Sequence, residues 1–212
     1  MAETDDVLEL ARRLAREAGA LQRERWGTEL EIGTKSADVD LVTEVDRACE
    51  AIVVEGIRER RPDDAVLAEE GSGHDAPGAA WRWVVDPLDG TTNFAHAYPC
   101  FCVSIGVEHE GRAAVGVVYN PILDELFHAV RGGGAFRNDR PIRTSRETVL
   151  SRSLVATGFA YDRRLSSRDN LAEVAAFLEN ARAIRRDGSA ALDLCSVACG
   201  RLDGYWEFKL AP

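Results

Sequence analysis

The run from Trp83 to Asn93, WVVDPLDGTTN, constrains this chain more than any other stretch. Trp83, Val84 and Val85 form a short apolar run of β-favouring residues, the pattern of a buried strand. It meets two aspartates, Asp86 and Asp89, separated only by Pro87 and Leu88. Pro87 fixes its own φ and carries no N–H, so the sequence predicts a tight turn that aims both carboxylates at one point. Gly90 lets the backbone pass close to whatever sits there, and Thr91, Thr92 and Asn93 can open a short helix with free N–H groups forward.

Hard divalent cations take oxygen ligands, and Mg²⁺ usually takes one or two carboxylates together with substrate phosphate. The turn supplies that chemistry: carboxylates from Asp86 and Asp89, a neutral oxygen from the Leu88 carbonyl, and the N–H groups of Gly90 and Thr91 for phosphate oxygens. An isolated Asp-Gly is more often a hairpin turn. Pro87, a second aspartate and three hydroxyl or amide residues in the same run favour the metal-binding reading.

With 212 residues, 45% hydrophobic and 29% charged, the chain can bury a substantial core as one large domain or two small ones. Its net charge of −10 argues against nucleic-acid or anionic-membrane partners, which need a basic face. An acidic enzyme acting on an anionic substrate needs metal ions to offset repulsion. The five cysteines show no metal-ligand spacing and read as reduced core thiols. The acidic start MAETDDVLEL lacks the basic flank and apolar run of a signal peptide, so a cytoplasmic protein is expected.

In chain order, Val7, Leu8, Ala11, Leu14, Ala15, Ala18 and Leu21 recur at helical spacing, predicting an amphipathic helix over residues 5–25. A short strand over 30–32 and a polar loop over 33–38 containing Lys35 follow. A second helix opens near Asp46, with Thr43 or Glu44 at its cap and Ala48, Ile52, Val53 and Ile57 on its inner face. Asp46 in that first turn would favour the helix dipole in any protein. Pro62 ends the helix, and a strand over 65–68 runs into Glu69 and Glu70, a second pair of acids at a strand end.

Strands over 101–108, 113–119 and 125–130, joined by turns at Glu110-Gly111 and Asn120-Pro121, predict an antiparallel meander. Gly132–Gly134 reads as a glycine turn, because no Lys-Ser or Lys-Thr follows it. Beyond lie a strand over 154–157, a helix over 167–180, a short strand over 183–186 and a helix capped by Ser189 and stopped at Gly200. An aromatic, strand-like run over 202–210 contains one acid, Glu207.

Four blocks, KSADVDLVTEVD, LAEEGS, WVVDPLDGTTN and GSAALDLCSVACGRLDGYWE, occur in the order found in the inositol monophosphatase family. The chain resembles that family of Mg²⁺-dependent, lithium-sensitive sugar phosphatases over nearly its whole length. The resemblance implies a layered α-β-α-β-α sandwich of α/β (α+β) class, with residues 1–150 as an N-terminal α+β region carrying the metal-binding turn and 151–212 as the start of a C-terminal α/β region. It implies two or three Mg²⁺ ions: Glu69, Asp86 and the Leu88 carbonyl hold the first, Asp86 and Asp89 the second, and Glu69 shares a third.

By the same resemblance, Asp46 and Thr91 orient and deprotonate the attacking water. Leu88, Asp89, Gly90 and Thr91 border the phosphoryl group, and Gly188, Ser189 and Ala190 line the sugar pocket. Arg185 reaches that pocket, and Glu207 accepts hydrogen bonds from sugar hydroxyls. Lys35 belongs to a mobile loop near the metals. The expected activity is hydrolysis of inositol monophosphate by a cytoplasmic homodimer. Histidinol phosphate, fructose 1,6-bisphosphate and a nucleotide 3′-phosphate are alternative substrates.

The sequence departs from the family pattern in two places. Gly71 stands between the acid pair and Ser72, and the chain reaches Pro212 before the family's Trp-Asp, whose aspartate completes the second metal site. That departure leaves a catalytically inactive, metal-binding protein as a further expectation.

Overall fold

The computed structural model describes residues 2–34, 41–162 and 164–210; Lys35 lies outside them. The first helix, α1 (Ala2–Arg25), buries Val7, Leu10, Ala11, Leu14, Ala15 and Ala18, the stripe its spacing predicts. It begins before residue 5, and Glu3 and Asp5 in its first turn suit the positive end of the helix dipole. The second helix, α2 (Glu44–Arg60), opens with a capping box: Thr43 Oγ1 accepts from the Val45 N–H, and the Asp46 carboxylate accepts from the Thr43 N–H. Pro62 follows its C-cap, Arg61, as expected. The helix is preceded by a two-stranded antiparallel ribbon, β1 (Ile32–Thr34) with β2 (Leu41–Thr43).

Seven strands form the main sheet, in sequence order: β3 (Ala65–Ala68), β4 (Trp81–Asp89), β5 (Cys102–His109), β6 (Arg112–Asn120), β7 (Glu125–Val130), β8 (Gly134–Arg137) and β9 (Arg140–Pro141). Only β3 and β4 pair in parallel; the rest form the predicted antiparallel meander, extended by β8 and β9. Alternate residues Trp83 and Val85, Val103, Ile105 and Val107, and Val115, Val117 and Tyr119 are buried in one core with the α1 stripe. Each such side chain contributes roughly 1.5–3 kcal/mol by leaving water, so this core dominates the stability of the N-terminal layers. Gly19 brings α1 against β6, where a Cβ would lie 2.5 Å from the Tyr119 ring.

After the main sheet come the strands and α-helices β10 (Leu154–Thr157), α4 (Leu171–Asn180), β11 (Ala183–Arg185), α5 (Ala190–Ala198) and β12 (Gly204–Trp206). The three strands form a parallel sheet in the order β11-β10-β12. Helix α5 touches β5 and β6 as well as β12, which joins the small sheet to the large one. The chain therefore has the expected layered α/β architecture. Among the described residues no helix is long and apolar enough to cross a membrane.

Two local expectations change. The strand carrying Trp83 does not stop at Val85 in a tight turn; β4 runs on to Asp89, with a bulge where Asp86 pairs Ser104 and Asp89 pairs Cys102. A bulge is the other backbone solution that tolerates a residue without an N–H, and it bends the strand next to the acids. Helix α4 starts at Leu171 rather than residue 167, because Asn170 is left-handed (φ 69°) and buried. Its amide donates to Thr157 Oγ1 (2.7 Å) and Gly158 O (2.8 Å) and accepts from Trp206 Nε1 (2.7 Å), tying β10 to β12.

The bulge is held from α1. Gln22, fully buried, donates through Nε2 to the Pro87 carbonyl at 2.8 Å. Gln22→Leu orphans that carbonyl but also removes the buried, unpartnered Gln22 Oε1, so the net destabilisation should fall at the low end of the usual range, about 1 kcal/mol. Thermal unfolding checks this, and an unchanged melting temperature would show that Pro87 needs no such support.

Candidate active site

The parallel register that pairs Ala68 with Val85 puts the next residues, Glu69 and Asp86, side by side at the strand ends. The Glu69 N–H continues the ladder to Val85 O at 3.2 Å. The two carboxyls lie in hydrogen-bonding contact, with Asp89 near enough to repel Asp86. Burial is the main cause that pushes the Asp86 carboxyl well above the ordinary carboxylate range, and repulsion from Asp89 and Glu69 adds to it.

The bulge is bonded internally. Asp86 Oδ1 accepts from the Leu88 N–H at 3.1 Å, and the Leu88 carbonyl lies 3.1 Å from Thr91 Oγ1. Gly90 has φ 101°, and a Cβ there would lie 2.8 Å from Cys100 O, so this position needs glycine on both counts. A five-residue helix, α3 (Thr91–Ala95), follows.

Thr91 Oγ1 also lies 2.8 Å from Asp46 Oδ1. The hydroxyl has one proton, and the shorter contact to a charged acceptor is the stronger bond. Asp46 thus serves two elements: Oδ2 accepts from the Thr43 N–H (2.9 Å) and hydroxyl (2.6 Å) to cap α2, while Oδ1 faces Thr91. One oxygen caps α2 and the other makes the contact to Thr91 that the resemblance implies.

Asp89 points to the C-terminal elements. Its Oδ2 accepts from Ser189 Oγ (2.7 Å) and the Ala191 N–H (2.7 Å), so it sits at the N-terminus of α5, which Ser189 caps through the Leu192 N–H. Burial raises the Asp89 carboxyl above its usual range despite these bonds from Ser189, Ala191 and Ala190; Glu69 raises it further. Asn93 reinforces the junction by donating from Nδ2 to Asp187 O at 2.7 Å.

A cavity of about 700 Å³ opens over these groups, lined by Glu69, Asp86, Asp89, Gly188, Ser189, Ala190 and Glu207 among others. Asp46, Leu88, Gly90 and Thr91 are not part of its lining. Glu207 lies beyond the end of β12 rather than in a strand, and accepts from the Tyr205 hydroxyl. Gly158 makes room for it, since a Cβ there would collide with the Glu207 carboxyl.

Arg185 is a correction. It is exposed, its guanidinium donates to Ile184 O at 3.1 Å, and it does not line the cavity; the following residue, Arg186, does. Strand β11 ends at Arg185, and the chain turns towards Gly188 only afterwards. Sequence reasoning also passed over Asp193, which is buried and lines the cavity. Its position four residues after the Ser189 cap, on the same helix face, was the available signal. Burial, then repulsion from Asp187 and Asp89, pushes its carboxyl up to about 7 against the pull of Arg186.

Among the described residues no three Asp, Glu, His or Cys side chains gather into a ready coordination sphere. The donors nonetheless suit a hard cation. They are all oxygens, two of them from carboxyls in contact, and Mg²⁺ needs few protein ligands because it keeps several waters.

The family model for the inositol monophosphatase family matches residues 3–212. The chain belongs to that family. It is 48% identical over 205 residues to the inositol-1-monophosphatase of Synechocystis sp., covering 97% of this chain and 71% of that protein. Among solved structures, the inositol monophosphatase from Anabaena (Nostoc) sp. superposes with a TM-score of 0.87 at 45% identity, covering 98% of this chain and 77% of that one. The extragenic suppressor protein suhB from Bartonella henselae gives 0.90 at 39% identity, covering 97% and 79%. Membership makes this chain a phosphatase of a generally metal-dependent family.

The crowded carboxyls carry a stability cost. Asp86 and Asp89 are both raised above the usual carboxylate value, so the stability they contribute is present below that value, near pH 4, and is lost as pH rises through their folded values. The metal-free Asp86→Asn variant should therefore melt higher than the parent at pH 7.5, by about 2–4 °C for each kcal/mol relieved. Near pH 4 the two should coincide. Equal melting temperatures at both pH values would contradict the repulsion described.

Proposed function

We propose that this chain hydrolyses inositol monophosphate to inositol and phosphate, with Mg²⁺ as cofactor. The observation that carries the reading is the arrangement around one bulge: the Glu69–Asp86 carboxyl contact beside it and the Thr91–Asp46 hydrogen bond within its exit turn. Glu69, Asp86, Asp89 and the Leu88 carbonyl would hold two or three ions. When bound, Mg²⁺ lowers the pKa of water and offsets charge on the phosphoryl and leaving oxygens.

Thr91, with its proton donated to Asp46, turns its oxygen lone pairs outward to accept a hydrogen bond from water. Asp46 fixes that orientation and takes up the proton through Thr91 as the water oxygen bonds to phosphorus. The ester P–O bond breaks, and the leaving alkoxide is protonated by solvent. Asp89, which lines the cavity, would border the phosphoryl group; Leu88, Gly90 and Thr91, outside the lining, are assigned to it on the resemblance alone, and Gly188, Ser189 and Ala190 line the polyol side. Glu207, which as a carboxylate offers only acceptors, selects hydroxyls over a second anion. On the resemblance alone, the enzyme is a lithium-sensitive cytoplasmic homodimer.

Thr91→Ala should lower kcat for inositol 1-phosphate by about 10²–10⁴-fold, the range for removing a general-base relay. Glu207→Ala should lower the preference for inositol 1-phosphate over fructose 1,6-bisphosphate, histidinol phosphate and a nucleotide 3′-phosphate. Phosphate release with saturating Mg²⁺ measures both. A folded wild-type protein that releases none would favour the metal-binding, inactive alternative; selectivity unmoved by Glu207→Ala would remove the polyol assignment.

A further inference from the structure

Helix α2 carries a second buried acid four residues after Asp46. Glu50 is 2% exposed, and an acid so buried requires partners for its oxygens. Those partners are backbone amides: Oε2 accepts from the Glu70 N–H at 2.5 Å and Oε1 from the Ser72 N–H at 2.8 Å. Both amides belong to the loop that leaves Glu69. On the other side of Glu69, its own N–H is held by Val85 O, and the loop folds back through the Gly71 N–H to Ala68 O at 3.4 Å. Gly71 has φ 94°, which permits this reversal.

Residues four apart share one face of a helix. Asp46 holds Thr91, at the exit of the bulge, while Glu50 holds the segment that carries Glu69. We propose that Glu50 is a positioning residue that sets Glu69 against Asp86, and that α2 aligns the two acidic arms as one rigid part. The inference rests on the reading of Glu69 as a metal-holding carboxylate.

The test uses the full chain. Amide hydrogen exchange in the metal-free protein should find the Glu70 and Ser72 amides protected, and Glu50→Gln should release one of them, because its single oxygen can accept from only one N–H while its Nε2 faces the other. Calorimetric Mg²⁺ binding should weaken about tenfold in Glu50→Gln, as for other outer partners of metal ligands, with Glu50→Asp intermediate. In phosphate release, the apparent Mg²⁺ constant should rise by a similar factor while kcat at saturating Mg²⁺ changes little.

Freely exchanging amides in the parent protein, or a Glu50→Gln variant that melts earlier yet binds Mg²⁺ as tightly, would overturn the proposal. Should Glu50→Gln not fold, weakened Mg²⁺ binding by Glu50→Asp supports the proposal and unchanged binding overturns it. Glu69→Gln is measured alongside. If it leaves Mg²⁺ binding intact, the reading of Glu69 fails; if it weakens binding and the Glu50 variants do not, only the positioning role fails.

Discussion

The parallel pairing of β3 with β4 sets Glu69 beside Asp86, and most of the surrounding structure serves to hold that unfavourable contact. Two carboxyls do not choose to lie together, least of all where one, Asp86, is partly shielded from water. They are kept there by backbone: the ladder between the strands, the bulge in β4, Gln22 from α1 beneath it, and α2 alongside. The antiparallel meander that follows supplies the apolar area against which this stored repulsion is affordable.

The same bulge joins the two sheets. Asp89, at the end of β4 and close to Asp86, engages the N-terminus of α5 through Ser189 and Ala191. The same carboxylate is therefore the dock for the segment that lines the cavity with Gly188 and Ala190.

Much of this was legible in the chain itself. The Thr43 cap, the Ser189 cap, the strands over 125–130 and 154–157 and the convergence of Asp46 with Thr91 follow from local chemistry plus the family blocks. The bulge was not legible, because a proline without an N–H satisfies a turn and a bulge equally; the choice is made by pairing with β5, which is remote in sequence. Arg185 and Arg186 differ only in which one falls past the end of β11, a boundary that adjacent identical residues cannot signal. Gln22 and Glu50 sit on otherwise ordinary helices, and their roles arise from backbone groups 65 and about 20 residues away.

If Glu69 and Asp86 hold one and the same Mg²⁺ ion, their contributions to its binding are coupled. A double-mutant cycle on calorimetric Mg²⁺ affinity, with Glu69→Gln, Asp86→Asn and the pair, tests it most directly. Shared coordination predicts that each single change weakens binding strongly and that the double variant is far less impaired than the two losses combined. Losses that simply add, or an affinity that neither change moves, would contradict it.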